Sequence, residues 1–173
     1  MGEIKTVPEK ARLITGVIYN GGVIKDVNRI ERKLTEHFGE IDIRSGEVPF
    51  NYTDYYNKEM GGNLARYWVS FSKLILPDEI SGIKHVTNRL EKELSENSGY
   101  NRCVNLDPGY INSARLALVS TKDFSHRIYL KDGIYAEITL LYKNRNFVKL
   151  DWTYPDYMSE TAIAFFKKAR DKC

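Results

Sequence analysis

The chain has 173 residues, of which 42% are hydrophobic and 28% charged, and its formal net charge at pH 7 is +3. This balance excludes the weakly hydrophobic, highly charged composition of disordered chains. A domain of this length buries about 70% of the surface of its unfolded chain, so it needs no disulfide or structural metal. We expect one domain over residues 1–173, whose charge permits an anionic ligand but lacks the basic excess typical of nucleic-acid-binding domains.

Cysteine usage and the apolar runs indicate the compartment. Cys103 and Cys173 are the two cysteines, and they form no C-x-x-C pair, so neither a disulfide framework nor a thiolate zinc site is expected. Residues 1–10 lack the apolar segment of a signal peptide. No apolar run approaches the roughly 20 residues of a spanning helix. We therefore expect a cytoplasmic protein without a membrane partner.

Two strand–helix units are predicted in the first part of the chain. Residues 11–19 are rich in β-forming residues and predict a strand. After a glycine pair, apolar residues recur at helical spacing from Val23 to Phe38, and Gly39 supplies a helix stop. A short strand follows at residues 41–43, and its pairing with the first strand could be parallel, antiparallel or split by another strand. The second unit is predicted as a strand over 66–76 and a helix over 80–94.

A β-meander and a final helix are predicted in the second part. The clearest signal is Asp132-Gly133, a dipeptide typical of the type I′ turn of a β-hairpin. Ser159 can cap the final helix. The strands of this part are predicted over 115–120, 127–130, 134–142 and 147–152. The whole pattern predicts an α+β protein with a mainly antiparallel or mixed sheet and helices on one face, arranged as a ferredoxin-like core with an added β-meander.

The second loop of the meander decides which polar side chains meet. A three-residue loop over 144–146 keeps one face of the meander apolar, whereas a two-residue loop would mix the faces. With the three-residue loop, His126, Thr139 and Asp151 form one cross-strand row, and Glu137 lies two residues along its strand from Thr139. Directly opposed side chains are about 5 Å apart at Cβ, so these groups are expected to interact.

A histidine flanked by carboxylates has the groups needed for general acid–base catalysis or for binding a divalent metal such as magnesium, manganese or zinc. A structural histidine, bound within the fold, is the commoner role of such a residue. The candidate catalytic residues are His126, Glu137, Asp151 and Asp107.

Half of the twelve tyrosines fall in three loop-like segments that each also carry an aspartate, namely residues 50–56, 105–110 and 152–157. Connecting loops are usually built from small polar residues, so rings at these places indicate the wall of a cavity or a cover over the core. The structural alternatives are a turn at Asp107-Pro108-Gly109 and a helix cap near Asp156. The candidate ligand-binding residues are Tyr52, Asp54, Tyr55, Tyr110, Arg127, Trp152, Tyr154 and Asp156.

Four segments, in this order, resemble a known protein family. They are FNYTDYYNKEMG (50–61), NLDPGYI (105–111), STKDFSHRIYLKDGIYAEITLLY (120–142) and WTYPDY (152–157). Over nearly its whole length the chain is similar to the domain of unknown function 4416 (DUF4416) family of small prokaryotic proteins. The resemblance implies a single-domain cytoplasmic protein without an assigned activity, and it supplies no catalytic residues. Some members are labelled GTP-binding, but the G-x-x-x-x-G-K-[ST] phosphate loop of such proteins is missing here.

The leading hypothesis is a protein that binds a small anionic molecule, such as a nucleotide or a phosphate ester, with acid–base or metal-assisted hydrolysis as its chemistry. The alternative is a non-catalytic module for nucleic acid or protein, in which tyrosines stack on bases and basic residues contact phosphates. In a third interpretation the rings only close the core. The basic residues near the meander are Lys122, Arg127, Lys143, Arg145 and Lys149.

Overall fold

The computed structural model describes residues 7–53 and 55–173, in which nine strands form one sheet. The strands are β1 (Ala11–Asn20), β2 (Ile41–Arg44), β3 (Val48–Pro49), β4 (Leu64–Ile75), β5 (Val104–Ile111), β6 (Arg115–Ser120), β7 (Ile128–Lys131), β8 (Ile134–Lys143) and β9 (Asn146–Lys149). The helices are α1 (Asn28–Phe38), α2 (Asn57–Met60), α3 (Ile80–Ser95) and α4 (Glu160–Arg170). Within these residues, no helix is both long and apolar enough to cross a membrane.

The core of the sheet has the strand order β2-β4-β1-β5, and all neighbours in it are antiparallel. Strand β4 lies between β1 and β2, so of the three pairings considered the split one forms. With α1 and α3 as connections, this order is that of a ferredoxin-like core. Strands β6, β8 and β7 extend the sheet beyond β5, and β9 pairs with β8. The predicted α+β class, with a ferredoxin-like core and an added meander, is confirmed.

Helices cover both faces of the sheet. On one face, Leu34 of α1 and Leu90 of α3 pack with Val17 in a fully buried core. On the opposite face, Phe166 of α4 packs against Trp68, with ring centroids 5.8 Å apart. The prediction of helices on one face therefore holds for α1 and α3, whereas α4 lies on the opposite face of the sheet. Since β4 carries apolar side chains on both of its faces, each face needs a cover.

Helix α1 begins later than its apolar spacing predicts. The N–H groups of Val23 and Ile24 donate to the carbonyl of Asn20, which closes a turn directly after β1. The helix therefore starts only at Asn28. Its predicted end is confirmed, because Gly39 has φ of 88°, a conformation that glycine adopts without steric cost.

The hairpin between β7 and β8 has the predicted turn but another register. Asp132-Gly133 forms the turn with φ of 53° and 76°, as a type I′ turn requires. The predicted row places His126 opposite Thr139 and therefore Ile128 opposite Glu137, whereas Ile128 lies opposite Ala136. A β-bulge at Leu130 shifts β7 by one residue, and the bulge leaves no trace in the sequence pattern.

The loop between β8 and β9 also differs from its prediction. It has two residues, Asn144 and Arg145, with φ of 51° and 61°, and it places Lys149 opposite Leu140. The predicted three-residue loop is wrong because it assumed that β9 has a consistently buried face. Val148 is 42% exposed, and burial enforces the register only weakly at such an edge. The predicted cross-strand row therefore does not form.

The three aromatic–aspartate segments have different backbone structures. Residues 105–110 lie within β5 and pair with β1, so the predicted turn at Asp107-Pro108-Gly109 is wrong. Residues 152–157 lie outside the strands and include the start of a 3₁₀ turn. The last strand was predicted to reach Trp152, but β9 ends at Lys149. Residues 50–53, 55 and 56 also lie outside helices and strands. Asp54 lies outside the described residues.

Candidate functional site

Strands β5 and β6 diverge and leave a fork within the sheet. They pair only from Gly109 to Ile111, so no strand of the described residues lies on that edge of the first half of β5. Side chains of α3 replace the missing strand. Glu91 Oε1 accepts from the Leu106 N–H at 2.7 Å, and Lys84 Nζ donates to the Leu106 carbonyl at 2.9 Å. Both backbone groups of Leu106 on this open edge are therefore satisfied by side chains.

A proline and a glycine mark the point where the two strands join. Alternation along β5 places Pro108 on the same edge as Leu106, and that edge is open here, so its missing N–H costs no ladder hydrogen bond. The next residue, Gly109, allows β6 to approach closely. A Cβ at Gly109 would lie 2.3 Å from the carbonyl oxygen of Ala117. The Pro–Gly pair thus begins the pairing with β6 instead of turning the chain.

A cavity of about 500 Å³ lies at this fork. All three aromatic–aspartate segments contribute to its wall, although they are distant in the sequence, because the fork brings β5 beside the loops before α2 and α4. The predicted ligand-binding residues in the wall are Tyr52, Tyr55, Arg127, Tyr154 and Asp156, and the predicted catalytic residues there are Asp107 and Glu137.

A buried guanidinium, that of Arg66 on β4, forms part of the wall. Its side chain is 1% exposed. Nη1 lies 3.1 Å from Asp107 Oδ2, and Nε lies 3.2 Å from Asp156 Oδ2. The guanidinium carbon lies 4.8 Å from the ring centroid of Trp68 and 5.0 Å from that of Tyr157. Two carboxylates and two rings therefore offset the loss of hydration of this charge.

Two buried donor groups at this site, Arg66 Nη2 and the Tyr157 hydroxyl, have no acceptor among the described residues. A Cβ at Gly16 would lie 2.7 Å from Arg66 Nη2 and 3.0 Å from the hydroxyl oxygen of Tyr157, so both groups need the space above this glycine. Neither donates a hydrogen bond to another described residue. Burial raises the pKa of Tyr157 well above its ordinary value despite the opposing charge of Arg66, so the phenol stays a donor. Unpaired buried donors are rare and costly, and such groups are candidates to bind a ligand.

The two carboxyl groups beside Arg66 have opposite pKa shifts. Burial raises the pKa of Asp107, but the charges of Arg66 and Lys84 outweigh it and bring this pKa below the ordinary 3.8. Burial also raises the pKa of Asp156, and here it outweighs Arg66, with the negative charge of Asp107 adding to it, so this pKa lies above 3.8. Asp156 therefore takes up a proton more readily than Asp107, a difference of the kind that acid–base sites use.

We expect the stability effects of removing these two charges to change with pH in opposite directions. Asp107 stabilises the fold above its unfolded pKa, and this contribution is lost as the pH falls through its lowered folded pKa. The loss of stability caused by Asp107→Asn should therefore become smaller as the pH falls from 7 to 3. As the pH falls over the same range, wild type should instead become more stable relative to Asp156→Asn. The reason is that the folded state binds the proton of Asp156 more tightly than the unfolded state does. Urea denaturation at several pH values measures both, and parallel curves for the two variants would contradict the assignment.

Glu137 connects the cavity wall to His126. Arg127 Nε donates to Glu137 Oε2 at 2.8 Å, and His126 Nε2 lies 3.2 Å from the same oxygen. The imidazole stacks between two rings, with its centroid 6.0 Å from that of Phe124 and 5.0 Å from that of Trp152. His126 thus contacts a carboxylate that lines the cavity, although it does not itself line the cavity.

Four of the predicted site residues lie outside the wall. Tyr110 packs against the core on the face of α1 and α3, and Trp152 donates from Nε1 to the carbonyl of Ile138 at 2.8 Å. Asp151 follows β9, is exposed, and makes no hydrogen bond or ion pair with another described residue. His126 is the fourth, and Asp54 lies outside the described residues.

The described residues offer no cluster for a divalent metal. Among residues 7–53 and 55–173, no group of three or more His, Cys, Asp and Glu side chains is arranged to hold an ion. The candidate metal ligands predicted from the sequence were Asp107, His126, Glu137, Asp151 and Asp156. The structure does not gather them, since Asp151 makes no hydrogen bond or ion pair with His126 or Glu137, and Asp107 and Asp156 pair with Arg66. The Glu137 carboxylate is instead neutralised by Arg127.

Several wall residues were not predicted from the sequence. Arg66 gives a usable signal, because a charged residue inside the apolar run of β4 is expected to have buried partners. Lys84 and Glu91 give none, since a lysine and a glutamate on a helix are ordinarily solvated. The wall residues outside the predicted segments that matter to the chemistry are Arg66, Lys84 and Glu91. Asn105 and Tyr157 lie within the predicted segments but were not among the candidate ligand-binding residues.

A family model described as "Domain of unknown function (DUF4416)" matches residues 9–173, and the chain belongs to this family. The resemblance stated from the four sequence segments is thereby confirmed. Comparisons with curated proteins and with solved structures found no match. The family description names no ligand and no reaction, so the cavity is the feature that bears on function.

Proposed function

For this member of the DUF4416 family, we propose binding of a small polar ligand of nucleotide size in the cavity at the β5–β6 fork. The observation that carries the proposal is the meeting of three distant aromatic–aspartate segments around one space of about 500 Å³. Ligand pockets typically have volumes of about 300–1,000 Å³ and combine aromatic walls with a few convergent polar groups. A nucleotide or a phosphate ester has this size and character.

The polarity of the wall favours a ligand that carries acceptor atoms. Arg66 Nη2 and the Tyr157 hydroxyl are buried donors without partners among the described residues, so a carbonyl, ring nitrogen or phosphate oxygen would satisfy them. Exposed rings of Tyr52, Tyr55 and Tyr154 in the same wall present faces on which a flat ring can stack. The proposed ligand therefore has both a flat ring and hydrogen-bond acceptors.

Acid–base hydrolysis is the chemistry that we propose for the bound ligand. Asp107 and Asp156 both lie within 3.2 Å of Arg66 and have pKa values shifted in opposite directions. In this assignment Asp156 gives a proton to the leaving group and Asp107 accepts one from the attacking water. Asp107→Asn and Asp156→Asn should each lower the turnover of any bound ligand that is hydrolysed at a bond beside Arg66, without abolishing binding.

A pair of tyrosine variants tests the binding proposal. Tyr157→Phe removes a buried hydroxyl that donates to no other described residue, so the free protein should be as stable as wild type or more stable. If this hydroxyl binds the ligand, the variant should lose about 0.5–1.5 kcal/mol of binding free energy, as for one neutral hydrogen bond. Thermal-shift screening of nucleosides, nucleotides and phosphate esters would identify ligands, and calorimetry would measure the affinities.

Tyr67→Phe is the matched control. Its hydroxyl is also buried and has no partner among the described residues, but Tyr67 belongs to the core on the face of α1 and α3 and does not line the cavity. The Tyr67→Phe variant should bind every ligand with the affinity of wild type. If no nucleoside, nucleotide or phosphate ester shifts the melting temperature of wild type, or if the two variants bind alike, the proposed site is wrong.

A second candidate function is a non-catalytic module for protein or nucleic acid, and one observation favours it. The edge strand β7 exposes consecutive apolar side chains, with Ile128 73%, Tyr129 55% and Leu130 40% exposed. Arg145 lies at the tip of the neighbouring β8–β9 hairpin. RNA binding that weakens with salt and in Arg145→Asn, a change that the positive φ there tolerates, would favour this candidate over the cavity.

A further inference from the structure

Nearly all the charge in the cavity wall is neutralised within the wall. Among the described residues, the wall contains five basic and five acidic side chains, so its formal charge is zero. Every carboxylate in it is within ion-pair distance of a basic partner. The pairs are Arg66 with Asp107 and Asp156, Lys84 and Arg102 with Glu91, Arg102 with Glu59, and Arg127 with Glu137.

Lys122 is the one basic side chain of the described wall that has no carboxylate partner among the described residues. Its Nζ donates to the Tyr55 hydroxyl and lies 4.2 Å from the centroid of the Tyr55 ring. Both residues are exposed, and so is Phe124 beside them in the wall. The exposed mouth of the cavity therefore combines, at this corner, a positive charge that no described carboxylate pairs with and the faces of aromatic rings.

We propose that the cavity takes a ligand with a single anionic group, of the nucleoside monophosphate class, and that Lys122 holds this group at the mouth. This inference rests on the proposed function and narrows its ligand class. The uncharged ring of the ligand lies deeper, among the paired charges and the unpartnered donors of Arg66 and Tyr157. Nucleosides bind more weakly because they leave Lys122 without an anion.

The charge of a nucleoside triphosphate does not match the charges of the cavity wall. A triphosphate brings two further phosphate groups, and the described wall has no second unpaired cation to meet them. The described residues also hold no cluster of three metal-binding side chains that could bring in a compensating ion. The extra negative charge would instead face wall carboxylates such as Glu59, which is 45% exposed. We expect a triphosphate to bind no more tightly than the matching monophosphate.

Calorimetry on the full chain tests this, with nucleosides, their 5′-monophosphates and their 5′-triphosphates of the common bases as probes. Wild type should prefer the monophosphate to the nucleoside by about two- to fivefold, the effect of one exposed ion pair, and lose this preference at high salt. Lys122→Gln should abolish the preference and leave nucleoside binding unchanged. Lys149→Gln, which changes an exposed lysine of β9 outside the wall, should keep it.

Tyr55→Phe separates the charge of Lys122 from its contact with the loop. This variant removes the hydrogen bond to Lys122 and keeps the amine and the ring, so the monophosphate preference should persist. If Tyr55→Phe loses the preference as Lys122→Gln does, the lysine only positions the loop and the inference is overturned. A triphosphate that binds most tightly also overturns it, while the proposed function stands. If none of the probes binds wild type, both proposals fall.

Discussion

Replacing Arg66 by methionine should lower the free energy of unfolding by about 3–5 kcal/mol, the usual cost of removing one partner from a buried ion pair. The guanidinium side chain is 1% exposed and lies 3.1 Å from Asp107 and 3.2 Å from Asp156. Without it, neither Asp107 nor Asp156 has an ion-pair partner among the described residues. Urea denaturation of wild type and variant, with equal m-values, measures the loss.

Two further variants show whether the loss comes from the unpaired charges. Arg32→Met removes an arginine whose side chain is 63% exposed and whose ion pair with Asp26 spans 3.0 Å, so it should cost at most about 1 kcal/mol. Adding Asp107→Asn and Asp156→Asn to Arg66→Met should recover part of the lost stability, because no buried charge then remains unpaired. A triple variant no more stable than Arg66→Met would show that packing of the arginine matters more than its charge.

Gly109→Ala should destabilise the protein by about 1–3 kcal/mol, the usual cost of forcing an extra methyl group into packed structure. The new Cβ would lie 2.3 Å from the carbonyl oxygen of Ala117 and 2.6 Å from Leu118 Cδ2. The first of these atoms is backbone, so β5 and β6 must separate where their pairing begins. Denaturation by urea measures the loss, and amide hydrogen exchange in β6 should become faster.

Gly82→Ala is the matched control for this prediction. Gly82 lies in α3, and a Cβ there would meet nothing within 4 Å. Alanine has the better helix propensity, so this variant should be more stable by roughly 0.5–1 kcal/mol. A Gly109→Ala protein that also matches or exceeds wild type in stability would mean that β6 does not approach β5 as closely as the structure has it.

Local signals in the sequence were sufficient for most elements of the fold. The alternating and apolar runs of β1 and β4, the helical spacing of α3 and the Asp132-Gly133 turn each depend on a few neighbouring residues. Such patterns reflect the period of a helix or strand directly. The order of elements then sufficed for the α+β class and the ferredoxin-like core, because short connections allow few topologies.

Strand register could not be predicted in the meander. The bulge at Leu130 and the two-residue loop at Asn144-Arg145 each move side chains by one position relative to the opposite strand. Both occur on the exposed edge of the sheet, where side chains of either kind meet water and burial selects no register. The expected contact of His126 with Asp151 was lost for this reason, whereas its contact with Glu137 forms through the loop before β7.

The sequence by itself determined the fold class, the family and the segments of aromatic and acidic residues that line the cavity. Only the tertiary structure decided that residues 105–110 form an open-edged strand, and that Arg66 meets Asp107 and Asp156. The physical reason is the range of the interactions. Helix and strand periods act between residues a few positions apart, whereas the fork depends on α3 side chains that bind the backbone of β5 in place of β6.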